Sequence, residues 1–159
     1  MPRAGAARHR PAMRFLLTIG VVLLIAGGAY VFRDRISGGA DDLKVGDCFD
    51  VPATADETVK DVQHHPCDES HTAEVILVAD HPAAKGAPLP SDAELRTYLS
   101  NTCTSALEVY VGTAKADLYE LGAFYPTDED WAKDERGVTC YLTLLDESPM
   151  TTSAKAKAA

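Results

Sequence analysis

An uncharged stretch near the amino terminus, FLLTIGVVLLIAGGAYVF at residues 15–32, constrains this chain more than any other feature. It contains no proline. As a helix its eighteen residues would be about 27 Å long, close to the thickness of the hydrocarbon core of a bilayer. A domain of this size could hardly enclose a helix that is apolar on every side. We therefore predict a transmembrane helix over residues 15–32.

Basic residues flank this segment and predict its orientation. Four arginines precede it, and Arg33 and Arg35 follow it. The side of a membrane segment with more positive charge is usually cytoplasmic, and here the excess lies on the N-terminal side. Residues 1–14 are therefore expected to form a basic cytoplasmic tail. A cleaved secretory signal is the alternative, since AGGA at residues 26–29 offers small residues to a signal peptidase. Both interpretations export residues 36–159, and we favour a retained single-pass anchor in the cell membrane.

The exported part is strongly acidic. From Ile36 onward, nine lysines and arginines stand against 23 acidic residues, a formal balance of −14 in a chain whose net charge is −9. Nucleic acids and anionic lipid head groups are bound by clustered cations, so this charge predicts no nucleic-acid partner. The acidity is explained more simply as keeping an exposed domain soluble.

All four cysteines lie in the predicted exported part: Cys48, Cys67, Cys103 and Cys140. An even number of cysteines in a small exported domain predicts two disulfides, although the sequence is compatible with three pairings. We choose Cys48–Cys67 and Cys103–Cys140, because these bonds close two loops that do not overlap. The chain-entropy model assigns about 3 kcal/mol to the shorter loop and about 4 kcal/mol to the longer one.

Residues 43–146 are predicted to fold as one small α+β domain with a single long helix. SDAE, from Ser91 to Glu94, is a capping box, in which each of these two side chains satisfies a backbone N–H of the first turn. After it, apolar residues recur at three- and four-residue spacing over residues 95–110. Gly112 suits the C-terminal cap, so the helix is expected to end there.

Alternating or continuous apolar patterns predict short strands on both sides of this helix. They cover residues 48–49, after a turn at Gly46, and residues 58–65, 72–80, 117–127 and 137–146. Alternation along the last strand places Cys140 on the inward face, where Cys103 of the helix would meet it. Strands that precede and follow one long helix predict a mostly antiparallel sheet with the helix packed on one face.

Two polar segments flank the predicted domain. Residues 33–42 include SGGADD and are expected to form a flexible linker between anchor and domain. Residues 147–159 are low in complexity and are expected to form a disordered tail. The predicted order along the chain is therefore basic tail, anchor, linker, exported domain and disordered tail.

The segment PCDESHTAEV, residues 66–75, raises the question of catalysis by Cys67 and His71. A nucleophilic cysteine needs a free thiol whose pKa is lowered by a neighbouring cation. An exported Cys67 is instead expected to be oxidised, and the acidic neighbours Asp68 and Glu69 would raise the pKa of its thiol. We therefore predict no catalytic residue in this segment.

Metal binding is the second interpretation of the same region. Four nitrogen and sulfur donors lie within eight residues: His64, His65, Cys67 and His71. Structural zinc favours paired, closely spaced ligands such as two CxxC units, which this segment lacks. We predict no metal and no cofactor. Cys67 is expected in a disulfide, and the His71 ring is expected to bind a loop carbonyl or a carboxylate where the central strand begins.

Other candidate sites are weaker still. GxSxG, HExxH, P-loop and GxGxxG patterns are absent from the sequence. The acidic group Asp128, Glu129, Asp130 and Asp134 lacks the glycine-turned loop of an EF-hand. Trp131 is the sole tryptophan, expected in a capped turn or short helix, and it is either a core residue or an exposed contact for a partner or a glycan. The chain is therefore predicted not to be an enzyme.

Four features mark the predicted exported domain: VGDCFD at residues 45–50, PCDESHTAEV at residues 66–75, the helical Cys103, and DWAKDERGVTCYL at residues 130–142. Together they resemble the septum-formation domain family of actinobacterial membrane and envelope proteins. The resemblance covers almost the whole predicted exported domain. It implies a part in septum or envelope formation and supports disulfides among the four cysteines. No catalytic residue or ligand can be carried over from the family.

The resemblance also assigns His71 and Glu74 to the central motif and Trp131 to the closing one. These three residues are therefore candidates for a binding role or a structural role. Together, these inferences predict a single-pass membrane protein that displays a binding or scaffolding domain in the cell envelope, with a division or envelope protein as its partner. The alternative is an extracytoplasmic ligand-sensing or solute-binding domain, with its pocket under the loop HPAAKGAPLP at residues 81–90.

Overall fold

The computed structural model of the chain describes residues 38–52 and 61–156. These residues belong to one compact unit, Arg35–Ala159. They form a six-stranded antiparallel sheet with one long helix packed against it, so the predicted α+β class is confirmed. The predicted anchor, residues 15–32, and the predicted basic tail, residues 1–14, lie outside the described residues. Among the residues that are described, no helix is both long and apolar enough to cross a bilayer.

The elements follow one another as short strands around two helices. The strands are β1 (Gly38–Gly39), β2 (Cys48–Asp50), β3 (Asp61–His65), β4 (Ala73–Asp80), β5 (Tyr119–Phe124) and β6 (Gly137–Leu144). The α-helices are α1 (Asp92–Val111) and α2 (Asp128–Ala132), and 3-10 turns cover Ala40–Asp42 and Thr113–Leu118. The strand order across the sheet is β1-β3-β2-β4-β6-β5, and every neighbouring pair is antiparallel. Each predicted strand is present, but β5 and β6 are shorter than the predicted ranges 117–127 and 137–146, and residues 117–118 belong to a 3-10 turn.

Helix α1 begins and ends as the sequence predicts. The Ser91 hydroxyl accepts a hydrogen bond from the Glu94 backbone, and the Glu94 carboxylate accepts one from the Ser91 backbone. At the other end, Gly112 has φ of 83°, a conformation that glycine adopts without steric cost, and its N–H donates to the carbonyl of Glu108. These caps are local, so three or four residues suffice to specify them.

The sheet buries apolar side chains on both faces, because successive strand residues point to opposite sides. Along β6, Cys140 and Leu142 face α1, whereas the ring of Tyr141 between them faces the other way. The cluster on the helix side consists of Ile76, Cys103, Leu107, Tyr110, Val111, Val138, Cys140, Leu142 and Met150. The cluster on the opposite side consists of Ala40, Leu43, Phe49, Val62, Ala73 and Val75, covered by Val51, Phe124 and Tyr141.

A β-bulge explains the uninterrupted apolar run of β4. The pairing with β6 passes from Val75 opposite Tyr141 to Leu77 opposite Cys140, so Ile76 is the extra residue. Ile76 and Leu77 therefore both contribute to the cluster beside α1. A regular strand would have sent Leu77 to the other face.

Two predicted flexible segments are wrong in the parts that the structure describes. Gly38 and Gly39 of the predicted linker pair with β3, and Ala40 is buried in the core. Residues 147–156 of the predicted disordered tail pack on the domain, with Met150 in the helix-side cluster. Composition favoured flexibility in both segments, but tertiary partners elsewhere in the chain supply the hydrogen bonds and the burial that order them.

We predict that Gly122→Ala destabilises the domain by about 1–3 kcal/mol. Gly122 lies opposite Tyr141 in the β5–β6 pair, and a Cβ at this position would overlap the Tyr141 ring. That ring cannot move freely, because it packs against Phe49 and Phe124 at centroid distances of 5.4 and 5.0 Å. The free energy of unfolding in urea measures the effect.

Gly137→Ala is the matched control for this prediction. Gly137 is also in a strand, and a Cβ there would meet no atom within 4 Å. We expect it to change the free energy of unfolding by less than about 0.5 kcal/mol. Equal effects at the two glycines would contradict the packing that we describe.

Candidate functional site

The structure brings two of the three candidate residues together and separates them from the third. His71 and Glu74 lie where β4 begins, beside Cys48 of β2, which pairs with Glu74 across the sheet. Trp131 lies past the other end of β4, where its ring contacts His81. All three side chains are buried, with exposed fractions of 0, 0 and 5%. His71 and Glu74 therefore belong to one cluster and Trp131 to another, so the three candidate residues do not form a single site.

Both predicted disulfides are confirmed. Cys48 of β2 is bonded to Cys67, which follows β3, with the Cα atoms 5.3 Å apart. Cys103 of α1 is bonded to Cys140 of β6, with the Cα atoms 5.6 Å apart. These Cα separations are ordinary for disulfides. The first bond joins the β2–β3 hairpin to the segment that leads into β4, and the second fastens the helix to the sheet.

His71 is held by its ring and by its backbone. Its Nδ1 lies 2.8 Å from the carbonyl oxygen of Glu69, and a carbonyl can only accept, so Nδ1 carries the proton. Its backbone exchanges two hydrogen bonds with Met150, of 3.0 and 2.8 Å. The predicted contact of this ring with a loop carbonyl is thus present. The Nε2 atom has no hydrogen-bond partner among the residues that the structure describes.

Glu74 is a buried carboxylate that accepts three hydrogen bonds. The donors are the Tyr110 hydroxyl at 2.5 Å, the Ser153 hydroxyl at 2.6 Å and the backbone N–H of Ala154 at 2.6 Å. Burying a carboxylate is costly unless donors replace the water that it loses. Here helix α1 supplies one donor and the C-terminal segment supplies two. Glu74 therefore fastens residues 147–156 to the rest of the domain.

Sequence reasoning identified Glu74 but missed all three of its partners. Periodicity places Tyr110 among the apolar residues of α1, and low complexity predicts disorder at residues 153 and 154. The one signal in that tail is Met150, an apolar side chain in a polar segment, which is 6% exposed in the fold. A single apolar residue does not distinguish a packed segment from a free one.

We predict that the stability of the domain falls as the pH rises above about 10. Burial raises the pKa of Tyr110 above its ordinary value of 10.0, and the hydrogen bond to Glu74 and the charge of that carboxylate raise it further. Above pH 10 the folded state therefore holds a proton that the unfolded state has lost, so raising the pH favours unfolding. The stabilisation is fully present below pH 10.

Urea denaturation from pH 8 to pH 11 measures this dependence, with Tyr110→Phe as the comparison. Burial also raises the pKa of Tyr119 and of Tyr141, so the variant should retain part of the decline. We expect its stability to fall less steeply with pH than that of the parent. Parallel declines for parent and variant would show that Tyr110 is not the main titrating group.

Three donor groups of different chemistry meet at this end of β4. The ligand-type atoms of Cys48, His71 and Glu74 all lie within 4.8 Å of one another, and all three residues are buried. As part of a disulfide, Cys48 offers no thiolate, so the oxidised site has only two effective ligands. This set differs from the four donors that the sequence places close together, His64, His65, Cys67 and His71, for which we predict no metal. Of these four, His65 is paired with Asp50 at 2.8 Å.

Trp131 is a core residue, which decides between the two predicted roles. Its Nε1 donates to the carbonyl of Ala87 at 2.8 Å, and the Arg136 guanidinium lies 3.9 Å from its ring centroid. Arg136 also binds Asp134, whose carboxylate accepts a hydrogen bond from the Gly86 backbone. The indole thus lies against the loop of residues 81–90, beneath which the alternative prediction places a ligand pocket.

The remaining polar residues of this cluster have structural contacts. Burial, followed by the positive charge of Arg136, lowers the pKa of His81 and so favours its neutral ring. Asp130 completes a capping box with Thr127 at the start of α2, and Glu129 pairs with Lys133 at 3.0 Å. Three of the four acidic residues of the calcium hypothesis, Glu129, Asp130 and Asp134, thus have contacts within the protein.

Comparison with known proteins identifies one family. The family model described as Septum formation matches residues 45–159, which include the disulfides, His71, Glu74, Trp131 and the C-terminal segment. No curated protein and no solved structure matches the chain significantly.

Proposed function

Because the chain belongs to the septum-formation family, we propose that its domain is a non-enzymatic binding or scaffolding module that acts in septum formation at the cell envelope. In this proposal residues 15–32 anchor the chain in the cell membrane, with the amino terminus in the cytoplasm. The folded domain, whose described part begins at residue 38, is extracytoplasmic, and it binds an envelope or division protein.

The observation that carries the proposal is the structural use of the reactive side chains. Cys48 and Cys67 are joined in a disulfide, and His71 and Glu74 are fully buried within hydrogen-bonded segments. Catalysis at His71 or Glu74 would require substrate to enter the packed core. A domain whose motif residues hold its own segments together is expected to act through its surface.

Export is supported by the same disulfides. Disulfides persist in oxidising compartments and are rare in the cytoplasm. All the cysteines of the chain are bonded in two pairs, and free thiols are absent. A small domain with this content fits an extracytoplasmic location.

A pair of exposed leucines supports a protein partner. Leu118 and Leu145 are 57 and 63% exposed, and a backbone hydrogen bond of 3.0 Å joins them where β5 begins and β6 has ended. Single exposed apolar residues are ordinary, but neighbouring ones form a surface that gains free energy on contact with a partner. The partner is proposed to bind at Leu118 and Leu145.

The ligand-sensing alternative lacks comparable support. Beneath residues 81–90, where this alternative places its pocket, the buried Trp131 indole donates a hydrogen bond to the Ala87 carbonyl. A groove does run along α1 between Ala93 and Asn101, but it is open to solvent and shallow. Ligand sites in proteins are usually enclosed enough to remove most of a ligand from water.

In-cell photo-crosslinking tests the proposal. A photoreactive amino acid replaces Leu118 or Leu145 in the full-length chain, and the matched control replaces Ser100, an exposed polar residue on α1. We expect crosslinks to an envelope or division protein from the leucine positions and few from Ser100. Microscopy of a fluorescent fusion should find the protein enriched at septa.

Topology is tested separately, with reporters that are active on one side of the membrane only. A reporter fused after residue 159 should be active when it requires an oxidising, extracytoplasmic environment. Activity of a cytosol-dependent reporter at this position would refute export. Uniform distribution of the protein, with no crosslinked partner, would refute the septal binding role.

A further inference from the structure

The buried ring nitrogen of His71 has no structural explanation in the hydrogen-bonded network described above. His71 is 0% exposed, and its Nε2 lacks a hydrogen-bond partner among the described residues. Burying a polar nitrogen without a partner is unfavourable. Its neighbours, Cys48 and Glu74, carry ligand-type atoms within 4.8 Å of a ring nitrogen of His71 and of each other.

The tautomer of His71 is the one that metal ligation requires. Because Nδ1 donates to the carbonyl of Glu69 at 2.8 Å, the neutral ring has its free lone pair on Nε2. Histidines that bind metals usually donate their other N–H to a backbone carbonyl or carboxylate, which fixes the ring and raises the basicity of the ligating nitrogen. The Glu69 contact is of this kind.

Glu74 and the cysteines complete a donor set. An ionised carboxylate has about four acceptor sites, and Glu74 uses three of them for Tyr110, Ser153 and Ala154. Cys48 is 1% exposed and bonded to Cys67, which is half-buried. Reduction of this one bond would therefore free the Cys48 thiol next to His71 and Glu74, with the Cys67 thiol beside that of Cys48.

We propose that the Cys48–Cys67 disulfide and a zinc ion are alternative states of this site. When the disulfide is reduced, Cys48, Cys67, His71 and Glu74 bind one Zn²⁺. Two thiolates, an imidazole and a carboxylate match the donor types that zinc accepts in closed four-coordinate sites, whereas calcium and magnesium take oxygen ligands. The proposal does not depend on the binding function proposed above.

The switch between the two states is an ordinary thiol–disulfide exchange with a dithiol reductant. One thiolate of the reductant attacks the more exposed sulfur, that of Cys67, and breaks the protein disulfide. The second thiolate then releases Cys67, so the reductant leaves as a disulfide and its two protons pass to the protein thiols. Zinc binding displaces these two protons and leaves both sulfurs as thiolates.

Titration of the full-length protein in detergent with Co²⁺, a spectroscopic substitute for Zn²⁺, tests the proposal. The Cys48–Cys67 bond is reduced with a phosphine, the excess is removed anaerobically, and alkylation with mass analysis verifies which disulfide has opened. We expect the reduced protein to bind one equivalent with a thiolate-to-cobalt charge-transfer band that Zn²⁺ abolishes. The oxidised protein should show no such band.

His71→Asn isolates the contribution of the unpartnered nitrogen. The asparagine amide can still donate to the Glu69 carbonyl, but it carries nothing at the position of Nε2. Loss of a ligand should weaken metal binding by about 100-fold or more, since even outer-shell changes cost 10–100-fold. The matched control, His64→Asn on β3, should bind as the parent does.

Three results would overturn the proposal: no charge-transfer band in the reduced protein, equal binding by oxidised and reduced protein, or parental affinity in a folded His71→Asn variant. If that variant does not fold, the comparison of oxidised with reduced parent decides. If the reduced parent itself unfolds, recovery of its circular dichroism spectrum on addition of Zn²⁺ supports the site. Failure to recover refutes it.

Discussion

Replacing both Cys103 and Cys140 with alanine is expected to lower the free energy of unfolding by about 4 kcal/mol. The bond closes the longer of the two disulfide loops, with a sequence separation of 37 against 19 for the other bond. It also joins α1 to a central strand, where Cys103 is 3% and Cys140 0% exposed. Its loss increases the conformational freedom of the unfolded chain, which favours unfolding.

The second disulfide provides the matched control. Replacing Cys48 and Cys67 with alanine should cost about 3 kcal/mol, because the loop is shorter. Urea denaturation of the compact unit Arg35–Ala159 compares the two variants, and thermal unfolding with and without reductant checks the parent. If the Cys103–Cys140 variant is more stable than the Cys48–Cys67 variant, then neither loop length nor helix docking determines which disulfide contributes more to stability.

Replacing Glu74 with glutamine is expected to destabilise the domain by about 2–3 kcal/mol and to free the C-terminal segment. The carboxylate accepts from Tyr110 and Ser153 at one oxygen and from the Ala154 N–H at the other. An amide has only one oxygen, so its NH₂ group must face at least one of these donors. A buried donor left without an acceptor loses its hydrogen bond and still pays the desolvation cost.

Hydrogen exchange distinguishes this local effect from general destabilisation. Relative to the parent, Glu74→Gln should accelerate exchange at the Met150 and Ala154 amides more than at the amides of β6. The reason is that the Met150 amide donates to His71 and the Ala154 amide donates to Glu74. Glu120→Gln is the control, since Glu120 is exposed on β5, and it should change stability by less than about 0.5 kcal/mol.

Truncation after Pro149 provides a coupling test of the same idea. Removing the segment that donates two of the three hydrogen bonds should destabilise the domain by itself. In the truncated background Glu74→Gln should then cost clearly less than in the full domain, because the two changes remove shared contacts. Additive effects would mean that Glu74 does not hold the C-terminal segment.

The elements that sequence patterns predicted are those specified by neighbours along the chain. The capping box of α1 needs only Ser91 and Glu94, three residues apart, and its end needs only Gly112. In strand β6, the alternation of residues from Val138 to Leu144 indicates which side chains face the core. Periodicity and capping act within a few residues, so the helix, the strands and the α+β class could be inferred before any contact was known.

The candidate site depended on contacts that no local pattern records. Cys48 and Glu74 come together because β2 pairs with β4, and Ser153 reaches Glu74 across 79 residues of sequence. The motif placed His71 and Glu74 among the candidates, but it did not say that they are buried or what they bind. Their structural role became visible only when the C-terminal segment was found packed on them.

The sequence by itself determined the order of the long helix and its flanking strands and the acidity of residues 36–159, and it favoured the cysteine pairing that the structure confirms. The tertiary structure alone decided that residues 38–42 and 147–156 are parts of the fold and that Trp131 is a core residue. The physical reason is the range of the interactions. Caps and periodicity act over a single turn or strand, whereas the buried carboxylate of Glu74 finds its donors in segments that only the folded chain brings near it.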